Sequence, residues 1–241
     1  MIEREFDIQT TDGQMNTFIT HPEKNGPYPV IIFYMDAPGK REELHDMARR
    51  FATVGYYVIL PNLYYRESRD FVLDFVTEES RERMNELMYG LSHEMILRDT
   101  QSLLDFLDQQ ESADTQHVGC VGYCMSGPFA MSVAAAYPDT FAAAASIYGV
   151  RLLTDKSDSP HLSAHKIKGE LYIACAETDT YAPTEMVEEL DQHLKSTGIN
   201  YHIEWYPGTR HGFAFPQRHN FEKQAAERHW ERLFALFKRN L

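Results

Sequence analysis

Residues 117–137 read HVGCVGYCMSGPFAMSVAAAY. His117–Tyr123 has the apolar character of a strand buried on both faces. Met125–Tyr137 is rich in alanine and reads as a helix. Between the two, Gly122-Tyr123-Cys124-Met125-Ser126-Gly127 leaves space for only a sharp turn. The pattern is small–x–nucleophile–x–small with cysteine at its centre. So tight a turn needs small residues two before and two after the central one, here Gly122 and Ser126. It lifts Cys124 to the top of a sheet, at the positive end of the helix that follows. That field favours a thiolate. The Met125 N–H points into the same space and can stabilise an oxyanion. Ser126 is the alternative nucleophile, but Pro128 then falls where a small residue is needed. The competing reading of Cys124 is a buried core thiol. Cys120 and Cys175 lie inside apolar strands, and the core reading is the one expected for them.

Outward from this turn, strands and helices alternate. Glu3–Gln9 and Met15–Thr20 flank Asp12-Gly13, a hairpin signal. Val30–Met35 and Tyr57–Leu60 are short apolar runs of buried-strand type, and Glu42–Val54 between them reads as a helix ended by Gly55. Helix is expected around Glu78–Tyr89, within an otherwise irregular stretch 62–92. Glu94–Leu107 is a second helix, with Ile96, Leu103, Leu104 and Leu107 on one side. Phe141–Tyr148, Glu170–Ala176 and Tyr201–Tyr206 are further strands. Residues 150–168 read as a polar loop. Pro183 opens one helix and Phe221–Asn240 forms the last. The expected class is α/β: a mostly parallel sheet of about eight strands with helices on both faces and a hairpin at one edge. With no repeat and no long linker, residues 1–241 are expected to form a single domain.

In open α/β sheets, ligands sit beyond the carboxyl ends of the strands. The residues just after the strands include Asp36, Ala37, Cys124, Tyr148, Asp179 and His211. Asp179 follows one strand and precedes a helix; turn aspartates are common there. His211 lies in the Gly-flanked loop after Tyr201–Tyr206. The chain order nucleophile, acid, base is that of α/β-hydrolases. Tyr148 and Phe213 stand near strand ends and are candidates to line an aromatic substrate pocket, with core packing as the alternative.

Composition narrows the partners. The net charge of −13 makes nucleic acid and an anionic membrane surface unlikely partners. Apolar runs are too short to span a bilayer. The start MIEREFDIQTTDG lacks the basic-then-apolar pattern of a secretory signal. Three cysteines do not suggest a disulfide scaffold. A cytoplasmic setting is therefore expected, and a reactive cysteine favours a reducing one. His161 and His165 are four apart, but no third ligand is evident, so no metal or other cofactor is expected.

On these residues the sequence resembles the dienelactone hydrolase family. The matching pieces are Gly122–Gly127, Ile147-Tyr148-Gly149-Val150, Glu177-Thr178-Asp179 with Pro183, His211-Gly212-Phe213, and Val58–Arg66 (VILPNLYYR). The resemblance implies an α/β-hydrolase fold and a triad of Cys124, His211 and Asp179. It implies Ala37 as a second oxyanion N–H beside Met125. It also implies an acid after the first central strand that restrains the thiol, a place filled here by Asp36 rather than glutamate. Of two arginines that bind a substrate carboxylate in the dienelactone hydrolases, Arg81 matches one. Phe215 stands where the other would be, which puts the dienelactone substrate in doubt.

The chemistry expected is carboxylic ester or lactone hydrolysis through a thioester acyl-enzyme, acting on a small-molecule substrate. Two other readings remain. One is a ligand-binding protein on an inactive hydrolase fold. The other is an amidotransferase-type cysteine enzyme, disfavoured because no acid closely follows His211.

Overall fold

The Asp12-Gly13 turn signal lies between two nine-residue strands. These are β1 (Ile2–Thr10) and β2 (Gly13–His21), paired antiparallel from Ile2 opposite His21 to Thr10 opposite Gly13. A computed structural model describes all residues, Met1–Leu241. The chain divides into two units, Met1–Gln116 and His117–Leu241.

In the first unit the apolar runs become β3 (Tyr28–Tyr34) and β4 (Tyr57–Pro61), joined through α1 (Glu42–Thr53). The strand order is β1-β2-β4-β3, with β2–β4 antiparallel and β3–β4 parallel. Helix α1 buries Leu44, Met47, Ala48 and Phe51, and Gly55 follows it at φ 105°. Thr77 caps α2 (Glu78–Gly90), and Ser92 caps α3 (His93–Leu107) through the Met95 N–H. The buried face of α3 includes the predicted Ile96, Leu103, Leu104 and Leu107. It also buries Asp99, whose carboxylate is gripped by both ends of the Arg66 guanidinium at 2.7 and 2.9 Å. Arg66 also pairs with Asp12, so one side chain ties the first hairpin to α3.

The second unit takes its strands from β5 (Ala113–Tyr123), β6 (Phe141–Ile147), β7 (Glu170–Thr178) and β8 (Tyr201–Arg210), in that order and all parallel. A 3₁₀ turn at Cys124–Ser126 leads into α4 (Gly127–Ala136). Nine of the ten α4 residues are buried, which explains a helix built from alanine and other small or apolar residues. Helix α5 (Thr184–Thr197) ends at Gly198, whose φ is 74°. Helix α6 (Lys223–Asn240) buries Trp230, Leu233 and Phe237 along one face.

The eight strands, most of their pairings parallel, and the intervening helices are those expected from the sequence. Several boundaries differ. Met125 lies in the 3₁₀ turn rather than the helix, because the chain must tighten before α4 can start. Pro183 caps α5 instead of opening it. The loop 150–168 contains a 3₁₀ segment, Pro160–Lys166. Strands β7 and β8 both run further than predicted. Strand β8 passes through Pro207-Gly208, a turn signal that read as its end, and resumes pairing at Arg210.

Candidate active site

Three strand ends carry the predicted residues. Cys124 follows the last residue of β5, Asp179 the last of β7 and His211 the last of β8. Thr178 and Arg210 are partners in the β7–β8 ladder, so Asp179 and His211 emerge side by side.

The turn at Cys124 is as tight as the sequence requires. Cys124 sits at φ 56°, a left-handed conformation unusual for a residue with a Cβ. A Cβ on Gly122 would lie 2.0 Å from the Ser126 carbonyl oxygen, so only glycine fits there. Cys124 is half-buried and keeps some access to solvent, whereas Ser126 is fully buried. Burial pushes the thiols of Cys120 and Cys175 upward, consistent with their core positions.

His211 Nδ1 lies 2.7 Å from Asp179 Oδ2. The other carboxylate oxygen accepts the backbone N–H groups of Tyr181 at 2.9 Å and Ala182 at 3.1 Å. Asp179 thus holds both the turn and the imidazole, and its side chain is 1% exposed. His211 also hydrogen-bonds Cys124. Burial pulls the imidazole down, but the negative charge of Cys124 and the hydrogen bonds to Asp179 and Cys124 outweigh it. The His211 pKa is raised to about 10. That direction favours a protonated imidazole between Cys124 and Asp179.

Aromatic rings fix the imidazole. Tyr148 and Tyr181 meet it edge-on, each with centroids 5.0 Å away. Tyr181 is largely exposed. Tyr148 is fully buried, at φ 38°, and its N–H is bound to Ala174 O at 2.7 Å. Phe213 is fully buried, stacked on Tyr206 at 4.9 Å and packed edge-on against Tyr148. Tyr148 thus packs between the imidazole and Phe213. Asn220 Nδ2 holds the His211 carbonyl at 3.1 Å.

The remaining predicted residues belong to the first unit. Asp36 is 1% exposed, and its two oxygens receive Arg41 at 2.5 and 3.3 Å. Arg41 also binds Glu43 at 2.6 Å and the Gly39 carbonyl at 3.1 Å. Ala37 is buried, and its carbonyl accepts a hydrogen bond from Tyr64 Oη at 2.8 Å. Arg81 lies exposed on α2, paired with Glu78 and bound to the Phe75 carbonyl at 2.7 Å.

Sequence reasoning assigned no role to Arg41, Glu177 or Thr209. Arg41 carried no motif signal beyond lying five residues after Asp36. Glu177 and Thr209 were hidden because they act across β7 and β8, where Gly208 N–H donates to Glu177 Oε2 at 2.8 Å. His161 is occupied by Ser159 Oγ at 2.7 Å and faces His193, and no group of three or more His, Cys, Asp or Glu side chains is gathered to hold a metal ion. No helix is long and apolar enough to cross a membrane.

Known proteins match along nearly the whole chain. The dienelactone hydrolase family model matches residues 15–241. A Synechocystis protein named "Putative carboxymethylenebutenolidase" is 29% identical over 245 residues, covering 98% of each chain. A protein of the same name from Escherichia coli K12 is 29% identical over 238 residues, covering 96% of this chain and 84% of its own. A Klebsiella pneumoniae crystal structure described as a "Putative Dienelactone Hydrolase" superposes with a TM-score of 0.87 at 24% identity, covering 98% of each chain. That likeness shows the α/β-hydrolase fold. With its family model covering residues 15–241, this chain belongs to the dienelactone hydrolase family and is a hydrolase of that family.

Proposed function

We propose that this protein hydrolyses carboxylic esters or lactones with Cys124 as nucleophile, His211 as acid and base, and Asp179 as the orienting acid. The observation that carries this reading is the hydrogen-bonded chain from Cys124 through His211 to Asp179.

Cys124 Sγ, as thiolate, attacks the substrate carbonyl carbon, and the C=O electron pair moves to oxygen. The Met125 N–H, at the amino end of the elbow helix, stabilises that oxyanion; one such donor is typically worth about 3 kcal/mol. Collapse breaks the C–O bond, and His211 gives its proton to the departing alkoxide. A thioester remains. Water then attacks the thioester with His211 as base, releasing the carboxylic acid and restoring the thiolate–imidazolium pair. Asp179 keeps the imidazole in one tautomer throughout.

The leaving groups set the preference. A thiolate leaves more readily than an ordinary alkoxide, so an intermediate bearing a poor leaving group collapses backwards. Enol esters, activated esters and lactones suit this site, and amides do not. The relatives' name, carboxymethylenebutenolidase, refers to an enol lactone that carries a carboxylate. Phe215 stands where the resemblance implies an arginine for that carboxylate, and Phe215 is buried. The substrate class in this reading is therefore an enol ester or lactone without a required carboxylate.

Hydrolysis of p-nitrophenyl acetate tests the reading. Cys124→Ala should remove turnover, and mass spectrometry of the wild type should detect one acetyl group on Cys124. Turnover retained in Cys124→Ala but lost in Ser126→Ala would overturn the assignment.

A further inference from the structure

Strands β7 and β8 stay in step as far as Ala176 opposite Tyr206, and the next pair is Thr178 opposite Arg210. Over that interval β7 advances by two residues and β8 by four. Pro207 and Gly208 are the surplus. Proline followed by glycine at φ 74° is the residue order of a type II turn. Surplus residues in a strand normally leave the ladder unpaired.

Here side chains close the gap. Glu177, the residue of β7 opposite the surplus, accepts the Gly208 N–H on Oε2 at 2.8 Å. The Thr209 hydroxyl donates to the Tyr206 carbonyl at 2.6 Å, and the Glu177 N–H reaches that hydroxyl at 3.4 Å. Thr209 is 1% exposed, whereas Glu177 is exposed, so burial does not account for the carboxylate. The residues on either side of this clamp are the informative ones. One position beyond the next ladder pair come Asp179 and His211, 2.7 Å apart. Because side chains alternate faces along a strand, a one-residue slip in the surplus would turn His211 away from Asp179.

We infer that Glu177 is a positioning residue for the base: its carboxylate fixes the Pro207-Gly208 turn and so the register at which His211 meets Asp179. This inference rests on the Cys124–His211–Asp179 reading above. Glu177 touches neither substrate nor the reacting atoms and acts through the turn.

The test compares wild type, Glu177→Ala, Glu177→Gln and Cys124→Ala with p-nitrophenyl acetate. Misplacing a catalytic group by about 1 Å can cost on the order of 100-fold. Glu177→Ala should therefore lower kcat by about 30- to 100-fold with KM within about twofold. Glu177→Gln keeps an oxygen that can accept the Gly208 N–H, and its kcat should stay within about threefold of wild type. A second readout needs no turnover. In the Cys124→Ala background, the His211 Nδ1–H proton resonance should be sharp and far downfield. It should broaden or move when Glu177→Ala is added and return with Glu177→Gln.

Unchanged kcat and an unchanged resonance in Glu177→Ala would overturn the inference. So would equal losses in Glu177→Ala and Glu177→Gln matched by equal falls in Tm, the mark of a general folding role. If Cys124→Ala retains full activity, the nucleophile reading fails, and the resonance still decides the role of Glu177.

Discussion

The carbonyl oxygen of Cys124 accepts a hydrogen bond from the Val150 N–H at 3.1 Å, tying the elbow to the segment that follows β6. Two glycines make this approach possible. A Cβ on Gly127 would lie 2.4 Å from Gly149 Cα and 2.4 Å from Ser146 Oγ. A Cβ on Gly149 would lie 2.2 Å from the same hydroxyl. Overpacking of this kind costs about 1–3 kcal/mol. We expect Gly127→Ala and Gly149→Ala each to lower the urea midpoint accordingly and to reduce esterase activity. A wild-type midpoint in both would mean that the backbones can separate freely.

Asp179 has two separable duties. Asparagine keeps an oxygen for the Tyr181 and Ala182 N–H groups but loses the charge facing His211. Asp179→Asn should keep a near-wild-type Tm while kcat falls on the order of 10³–10⁴-fold, as for other orienting carboxylates. Thermal melts beside steady-state kinetics check both parts. A large fall in Tm would show that the turn needs the charge.

The raised pKa of His211, about 10 against an ordinary 6.5, makes stability depend on pH. The proton binds the folded state more tightly than the unfolded one. Its contribution is fully present below about pH 6.5 and is lost as pH rises through about 10. The Cys124 charge is among the causes of the raise, so the two groups titrate together. The loss of Tm should therefore begin at higher pH in wild type than in Cys124→Ala. Equal onsets in the two proteins would contradict a charged pair in the folded state. Activity should also decline near pH 10, as His211 loses the proton it gives to the leaving group.

Arg41 is the cation of a buried cluster, with side-chain exposures of 9% for Arg41, 2% for Asp36 and 4% for Glu43. Removing it takes the guanidinium from two buried carboxylates. Arg41→Met should lower the unfolding free energy at neutral pH by about 3–5 kcal/mol, measured by denaturant titration. A change below about 1 kcal/mol would mean that water or another cation replaces the guanidinium.

The legible part of the fold and site was what one strand could announce by itself. β3, β4 and the buried part of β5 are apolar runs with abrupt ends, and a residue following such an end is easy to find. Cys124 was visible in this way, whereas Asp179 and His211 were picked out by their loops and chain order, since β7 and β8 end later than predicted. Relations between strands were not visible. Pro207-Gly208 looked like a terminus because local sequence signals a turn, while re-pairing at Arg210 depends on β7. Arg41 was missed for a similar reason. Its role follows from the return of the chain around Gly39, which sits at φ 94°, and not from any pattern in the residues between it and Asp36. For Phe213, near a strand end, the sequence left a pocket wall and core packing both open. The turn there faces it inward, and the packing around Tyr148 and Tyr206 uses it.

Cys124 occupies a backbone conformation that glycine adopts freely and that costs other residues about 1–3 kcal/mol. The position thus sets durability against activity. Cys124→Gly should melt at a higher temperature than wild type while hydrolysing nothing. Screens that reward thermal robustness alone would drift toward that dead variant. A stabilised form of this enzyme has to be selected with turnover as a constraint, because one of its strained positions carries the proposed nucleophile.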